Sequence, residues 1–117
     1  MKITSESQIV DMNDVRAVYG QNGEYLTVIS SIKNTIIPEL EVLADSDVVR
    51  YGDTGTRPLF NKLIDVTEQL VKDLEAFAKN KTDDLQTIAT AERRAYEEYL
   101  EEKRREEEKL ERMGNIG

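Results

Sequence analysis

Carboxylates, lysines and tyrosines are the candidate reactive side chains of this sequence, because it contains no histidine and no cysteine. Those absences remove the commonest general base, the commonest transition-metal ligand and all thiolate or disulfide chemistry. Oxygen ligands that suit calcium occur at Asp45-Ser46-Asp47 and at Asp83-Asp84. Neither cluster has the twelve-residue spacing with a closing Glu that a calcium loop requires. We therefore predict no metal site, no cofactor and no enzymatic activity.

The charge of the chain restricts its partners. The 117 residues include 24 Asp and Glu against 16 Lys and Arg, which gives a net charge of −8. A negative mean field repels the phosphates of nucleic acids and the headgroups of anionic lipids. The chain has no run of 18 apolar residues, and its polar start lacks the pattern of a cleaved signal peptide. We expect protein partners, no nucleic acid and no bare membrane, and a cytoplasmic location with any export independent of signal-peptide cleavage.

Glycine and proline residues divide the chain into three predicted parts. Residues 1–23 are expected to hold a short helix and a turn. Residues 24–95 are expected to form an amphipathic helical hairpin with its turn at 45–58. Residues 96–117 read as a charged helical tail with a frayed end. The predicted fold is therefore all-α, a helical hairpin with a long charged C-terminal helix that completes a four-helix bundle or coiled coil with a partner.

The first arm of the hairpin carries apolar residues at steps of three or four, which is helical spacing. They are Leu26, Ile29, Ile32, Ile36, Leu40 and Leu43. Pro38 removes a backbone donor from this run, so a kink or a restart is expected near Ile37. The many β-branched residues here would also suit a strand, but their spacing favours a helix.

The second arm has the most regular pattern in the chain. Its apolar residues are Leu59, Leu63, Val66, Leu70, Leu74 and Phe77. Thr56 is the predicted N-cap, with Pro58 in the first turn, and the polar stretch 79–84 is a predicted fray or stutter. Two isolated helices bury too little surface for a stable domain. We therefore predict that the stripes of both arms bind a partner in a homo- or hetero-oligomer.

The two ends of the chain carry weaker signals. A short helix over Ser7 to Val18 is predicted, capped by Ser5 or Ser7. Charged residues dominate the other end from Glu92 onward. Its one apolar cluster comprises Tyr96, Tyr99 and Leu100, and these are the predicted anchors if the tail docks on a partner. A solvated helix without a partner is the other interpretation of the tail.

A family resemblance rests on the turn between the two arms. Tyr51-Gly52 and Gly55 stand where the WXG-type small helical hairpins of bacterial type VII secretion systems have their Trp-x-Gly, and Phe60 follows at about the family's spacing. The chain thus resembles that family and the related helical partners of LXG toxins. The resemblance implies a chaperone-like targeting partner that packs against another small hairpin protein or against the helical N-terminal domain of a secreted toxin.

The export signal of that family, Tyr-x-x-x-Asp/Glu or Phe-x-x-x-Asp, has no match in this chain. The resemblance therefore implies a member that depends on its partner to present the signal. The residues alone leave other interpretations open. The glycines at the turn can simply reverse the chain. The whole protein can be a homo-oligomeric coiled-coil scaffold or phage assembly protein, or a regulatory binding module such as an antitoxin.

Overall fold

A computed structural model describes residues 1–51 and 55–116, with side chains as far as Gly114. Throughout these residues the chain is helical without a strand, which confirms the all-α prediction and its long C-terminal helix. The α-helices are α1 (Met12–Tyr19), α2 (Glu24–Ser31), α3 (Ile37–Ala44), α4 (Asp47–Arg50) and α5 (Thr56–Ile116). A 3-10 turn spans Glu6–Gln8, and a π-helical turn spans Ile32–Ile36. Across the described part of the chain, no helix combines the length and the apolar character that a bilayer crossing requires.

The residues form two compact units. The hairpin unit comprises Asp14–Thr82, and the strap unit comprises Met1–Asn13 with Asp83–Gly117. This division differs from the three consecutive parts that the glycines and prolines predict. The N-terminal segment groups with the second half of α5, a pairing between residues more than 80 positions apart.

The short helix predicted over Ser7 to Val18 is found only from Met12 onward, as α1, and a separate 3-10 turn precedes it, so the predicted start is wrong. Ser5 caps only the 3-10 turn: its hydroxyl oxygen accepts from the Ser7 amide at 3.3 Å, and the Gln8 side chain accepts from the Ser5 amide at 3.2 Å. The Asp11 carboxylate then accepts from the amide of Asn13 at 2.9 Å, at the start of α1. The chain therefore leaves helical geometry between the two caps.

The interruption predicted at Pro38 is present as the π-helical turn. The Ile37 amide bonds to the Ile32 carbonyl, five residues earlier rather than four. Pro38 follows at once, in the first turn of α3, where its missing N–H leaves no donor unpaired. A widened turn before the proline relieves the crowding between its ring and the carbonyl of the preceding turn. Residues 24–44 are helical on both sides of this turn, as their spacing predicts.

Helix α5 differs from its prediction in three places. It begins at Thr56, and the Gly55 carbonyl accepts from the Leu59 amide at 3.3 Å, so Thr56 is the first helical residue rather than the cap. No break occurs at residues 79–84, and the helix runs on to Ile116 where a frayed end is expected. Once a helix is nucleated, each added residue gains a hydrogen bond, so a short polar stretch does not stop it. Helix α4 lies inside the predicted turn 45–58.

A candidate protein-protein interface on the hairpin

The two arms of the hairpin unit run antiparallel. The Tyr25 and Phe77 rings lie 5.7 Å apart, and Tyr19 packs on both rings. Further along, the Lys33 ammonium is 3.3 Å from the Glu75 carboxylate. At the turn end, the Arg57 guanidinium is 3.0 Å from Asp45 and also donates to the Ala44 carbonyl. Residue numbers thus rise on α2 and α3 as they fall on α5.

The core between the arms is small and apolar. Its buried residues are Ile29, Ile37 and Val71. Half-buried side chains packed on it are Tyr25, Leu26, Ile32, Ile64 and Leu74. Four residues of the predicted partner-binding stripes, Leu26, Ile29, Ile32 and Leu74, therefore take part in the internal core. Leu40, another residue of the first stripe, is half-buried.

Helix α5 carries two apolar stripes in the hairpin unit. One stripe faces the core through Ile64 and Val71, and Ala78 is also buried. The other stripe is exposed and consists of Leu59, Leu63, Val66 and Leu70. Both have heptad-like spacing, and together they make an apolar arc wider than one neighbouring helix can cover. The predicted stripe of α5 is the exposed one, except for Leu74 at the core and Phe77, whose ring is half exposed beside the two tyrosines.

The first arm shows the same arrangement. Val28 precedes the core residue Ile29, and Ile36 precedes the core residue Ile37. One residue back along a helix is a rotation of about 100°. Leu43 lies close to the same angle from Ile37, and Leu63 and Leu70 lie close to it from Val71. On both arms these residues are rotated from the core residue by a similar angle, measured toward the N-terminus. Because the arms are antiparallel and face each other, this rotation turns all of these residues toward the same side of the hairpin.

We call this surface the apolar face. It consists of Val28, Ile36, Leu43, Leu59, Leu63, Val66 and Leu70, all of them exposed. On the opposite flank of the seam, the ion pairs Lys33–Glu75 and Arg57–Asp45 join the arms. Thus, along the line where the two arms meet, one side is polar and joined by ion pairs, whereas the other side is apolar and exposed.

The residues that carry the family resemblance lie at or near the turn between the arms. Tyr51 is exposed, Gly55 opens α5, and Phe60 is half-buried on the first turns of that helix. Gly52 lies outside the described residues. Of the predicted tail anchors in the strap unit, Tyr96 and Tyr99 are half-buried and Leu100 is exposed.

The tail beyond these anchors is a charged helix with local pairs. The Glu101 carboxylate lies 2.7 Å from the Arg104 guanidinium and 3.4 Å from that of Arg105. The hydrogen bond and positive charge of Arg104 lower the pKa of Glu101, and Arg105 adds to this effect. The same carboxylate raises the pKa of Arg104. Such exposed pairs favour helix locally and do not make a binding site.

Sequence reasoning missed Val28 as a member of the apolar face and Val71 as the core residue of α5. The signal for Val71 was available, because Ile64, Val71 and Ala78 repeat every seven residues. The smaller side chains of that stripe made it less prominent than the leucine stripe beside it. The aromatic group of Tyr19, Tyr25 and Phe77 had no local signal, since its members come from three separate segments.

Comparisons with known proteins do not add a family. No family model, no curated protein and no solved structure matches this chain. The described residues also hold no group of three or more carboxylates arranged as metal ligands.

Proposed function

We propose that this chain is a helical partner protein that packs its apolar face against another helical protein. The observation that supports the proposal is the asymmetry of the hairpin seam. One flank is joined by ion pairs, while seven apolar side chains are exposed on the other. A contiguous apolar patch of this kind marks a protein-protein surface. Two further helices laid on it would complete a four-helix bundle.

The proposed partner is a small hairpin protein or the helical N-terminal domain of a toxin exported by a bacterial type VII secretion system. The sequence resemblance at Tyr51, Gly55 and Phe60 supports this assignment, together with an acidic, cysteine-free chain. In this role the chain is not an enzyme. It covers the apolar surface of its cargo in the cytoplasm and acts as a chaperone-like targeting factor. The partner supplies the export motif that this sequence lacks.

The test is co-expression of the full chain with the helical proteins encoded beside its gene, followed by size-exclusion chromatography with light scattering. We expect a defined hetero-complex. Val66→Glu places a charge in the middle of the apolar face and should prevent the complex from forming. The matched control is Val48→Glu, because Val48 is 83% exposed and lies on α4, outside the face.

Both variants should keep the helical circular dichroism of the natural chain, since both side chains are exposed. If the Val66→Glu chain forms the complex as well as the Val48→Glu chain does, the apolar face is not the binding surface. A chain that binds none of its encoded neighbours would remove the type VII secretion assignment.

A second candidate function is a homo-oligomeric scaffold, and one feature of the exposed stripe of α5 favours it. Its apolar residues are arranged symmetrically along the sequence: Leu59 and Phe77 are equally far from the midpoint between Val66 and Leu70. The distances of Lys62 and Asp73 from the same midpoint differ by only one residue. Two copies of α5 packed antiparallel about this point would bring Lys62 of one copy near Asp73 of the other.

Charge reversal separates the two candidates. If the homo-oligomer forms, Lys62→Glu should weaken it, and the double variant Lys62→Glu with Asp73→Lys should restore it. Light scattering on the purified chain measures both effects. A monomeric chain that becomes a defined complex only with an encoded neighbour would exclude the scaffold.

A further inference from the structure

The N-terminal segment of the strap unit crosses the surface of α5 in an ordered path. We call residues 1–11 the strap. The Glu6 carboxylate lies 3.0 Å from the Arg93 guanidinium, and the Val10 amide donates to the Glu92 carboxylate at 3.1 Å. Ile9 and Val10 then line a cavity together with Gln86 and Ala89 of the helix. The strap therefore runs antiparallel to α5.

The strap also covers apolar positions on both sides of these polar contacts. Ala89 is buried, and so is Ile3, which is only 6% exposed although it is the third residue of the chain. Three extended residues span about 10 Å, the length of about six helical residues. The antiparallel path from Glu6 at Arg93 is therefore long enough for Ile3 to reach the turn that carries Tyr96 and Tyr99, both half-buried. The helix thus offers an apolar bed for Ile3, a cation for Glu6 and an acceptor for one main-chain amide.

The strap is weakly held on the helix. Ile3 is its one fully buried residue. The Arg93 and Glu6 side chains of its ion pair remain 51% and 68% exposed, and exposed pairs of this kind contribute little. An open pocket of about 450 Å³ lies beside Ala89 and is bordered by the strap on one side and the helix on the other, so the strap leaves part of the helix surface uncovered.

We infer that residues 85–99 of α5 form a recognition groove for an extended polypeptide segment, and that the strap is its displaceable, tethered occupant. The incoming segment has the chemistry of the strap, with an apolar anchor, an acidic side chain three residues later and a free main-chain N–H beyond it. Arg93 recognises the acid, and Glu92 recognises the N–H. The groove shares no residue with the apolar face and does not depend on the function proposed for that face.

The experiment uses the full chain and a fluorescent synthetic peptide of residues 1–13 as the probe. In the natural chain the tethered strap competes with the peptide at a high effective concentration. Ile3→Asp should release the strap, because a carboxylate in the apolar bed is unfavourable. We expect this variant to bind the peptide at least about tenfold more tightly than the natural chain, as measured by fluorescence anisotropy. Equal binding by the two chains would overturn the inference.

A charge swap between Glu6 and Arg93, made in the Ile3→Asp chain, provides a second test. In that background, the Arg93→Glu chain should bind a Glu6→Arg peptide more tightly than the natural peptide, because only the Glu6→Arg peptide restores an ion pair. The matched control is Arg94→Glu, since Arg94 lies beside Glu97 and Glu98 on another part of the helix surface. The chain with both Ile3→Asp and Arg94→Glu should bind the natural peptide as tightly as the Ile3→Asp chain does. Equal affinity of the Arg93→Glu chain for the natural peptide and the Glu6→Arg peptide would also overturn the inference.

Discussion

The two parts of α5 use the same heptad-like spacing in different ways. In the hairpin unit, residues 56–82 carry two adjacent apolar stripes, of which only one is covered by α2 and α3. In the strap unit, residues 83–100 carry one narrow stripe that includes Leu85 and Ala89, and an eleven-residue strap lies along it. The width of the apolar arc, more than its presence, therefore indicates how many neighbours a helix needs.

The two units also differ in what holds them. The hairpin core is an apolar cluster with ion pairs along one edge, whereas the strap has one buried side chain and two polar contacts. Apolar burial is lost only by separating the arms. Exposed polar contacts exchange readily with water or with another ligand. We therefore expect substitutions in the hairpin core to have larger effects than substitutions under the strap.

The largest effect is expected from Val71→Ala in the hairpin core. Val71 is 4% exposed, so the substitution removes buried methyl groups and leaves a cavity, at a cost of about 2 kcal/mol in the free energy of unfolding. Urea unfolding followed by circular dichroism measures this cost. The matched control is Val66→Ala on the same helix, where Val66 is 59% exposed and the change should stay within about 0.5 kcal/mol.

This pair of variants also tests which stripe of α5 faces inward. Equal destabilisation by the two substitutions would mean that both stripes are covered in the free chain. In that case the apolar face is already occupied, either by a second copy or by another part of the chain. The measurement should therefore be repeated at several protein concentrations.

A smaller effect is expected under the strap from Glu92→Ala. This substitution removes the acceptor of the Val10 amide, a loss of about 1 kcal/mol in local stability. The amide of Val10 should then exchange with solvent about fivefold faster, as measured by nuclear magnetic resonance. Exposed Glu97 on the same helix provides the control, and Glu97→Ala should leave this exchange rate unchanged. A Val10 amide that exchanges at the unprotected rate in the natural chain would contradict the strap contact itself.

The smallest effect is expected in the charged tail and depends on pH. Because Arg104 lowers the pKa of Glu101 in the helix, this pair favours the helix at neutral pH. The contribution is lost as the pH falls from the ordinary glutamate pKa, about 4, through the lowered value. A small decrease in helical circular dichroism should accompany this titration. Glu101→Gln should remove that part of the decrease, and an identical acid titration in the variant would show that the pair has no effect on the helix.

Much of the local structure could be predicted from the sequence. The helical period of residues 24–44 and 59–77, the interruption at Pro38 and the cap at Ser5 depend on neighbours in the chain. The uninterrupted course of α5 was harder to predict. The polar stretch 79–84 resembles a break, but a growing helix continues through residues that would not start one.

The helical character of this protein and the helical period of the apolar residues in each arm follow from the order of its amino acids. The stripe of α5 that faces the core is set by packing in the folded chain, because the two stripes have the same period and differ by a rotation of about 100°. That rotation depends on how the α5 side chains fit against Ile29 and Ile37. The position of the strap on α5 likewise depends on tertiary contacts. Glu6 pairs with Arg93 although most of the sequence separates them, and no pattern among neighbouring residues encodes such a contact.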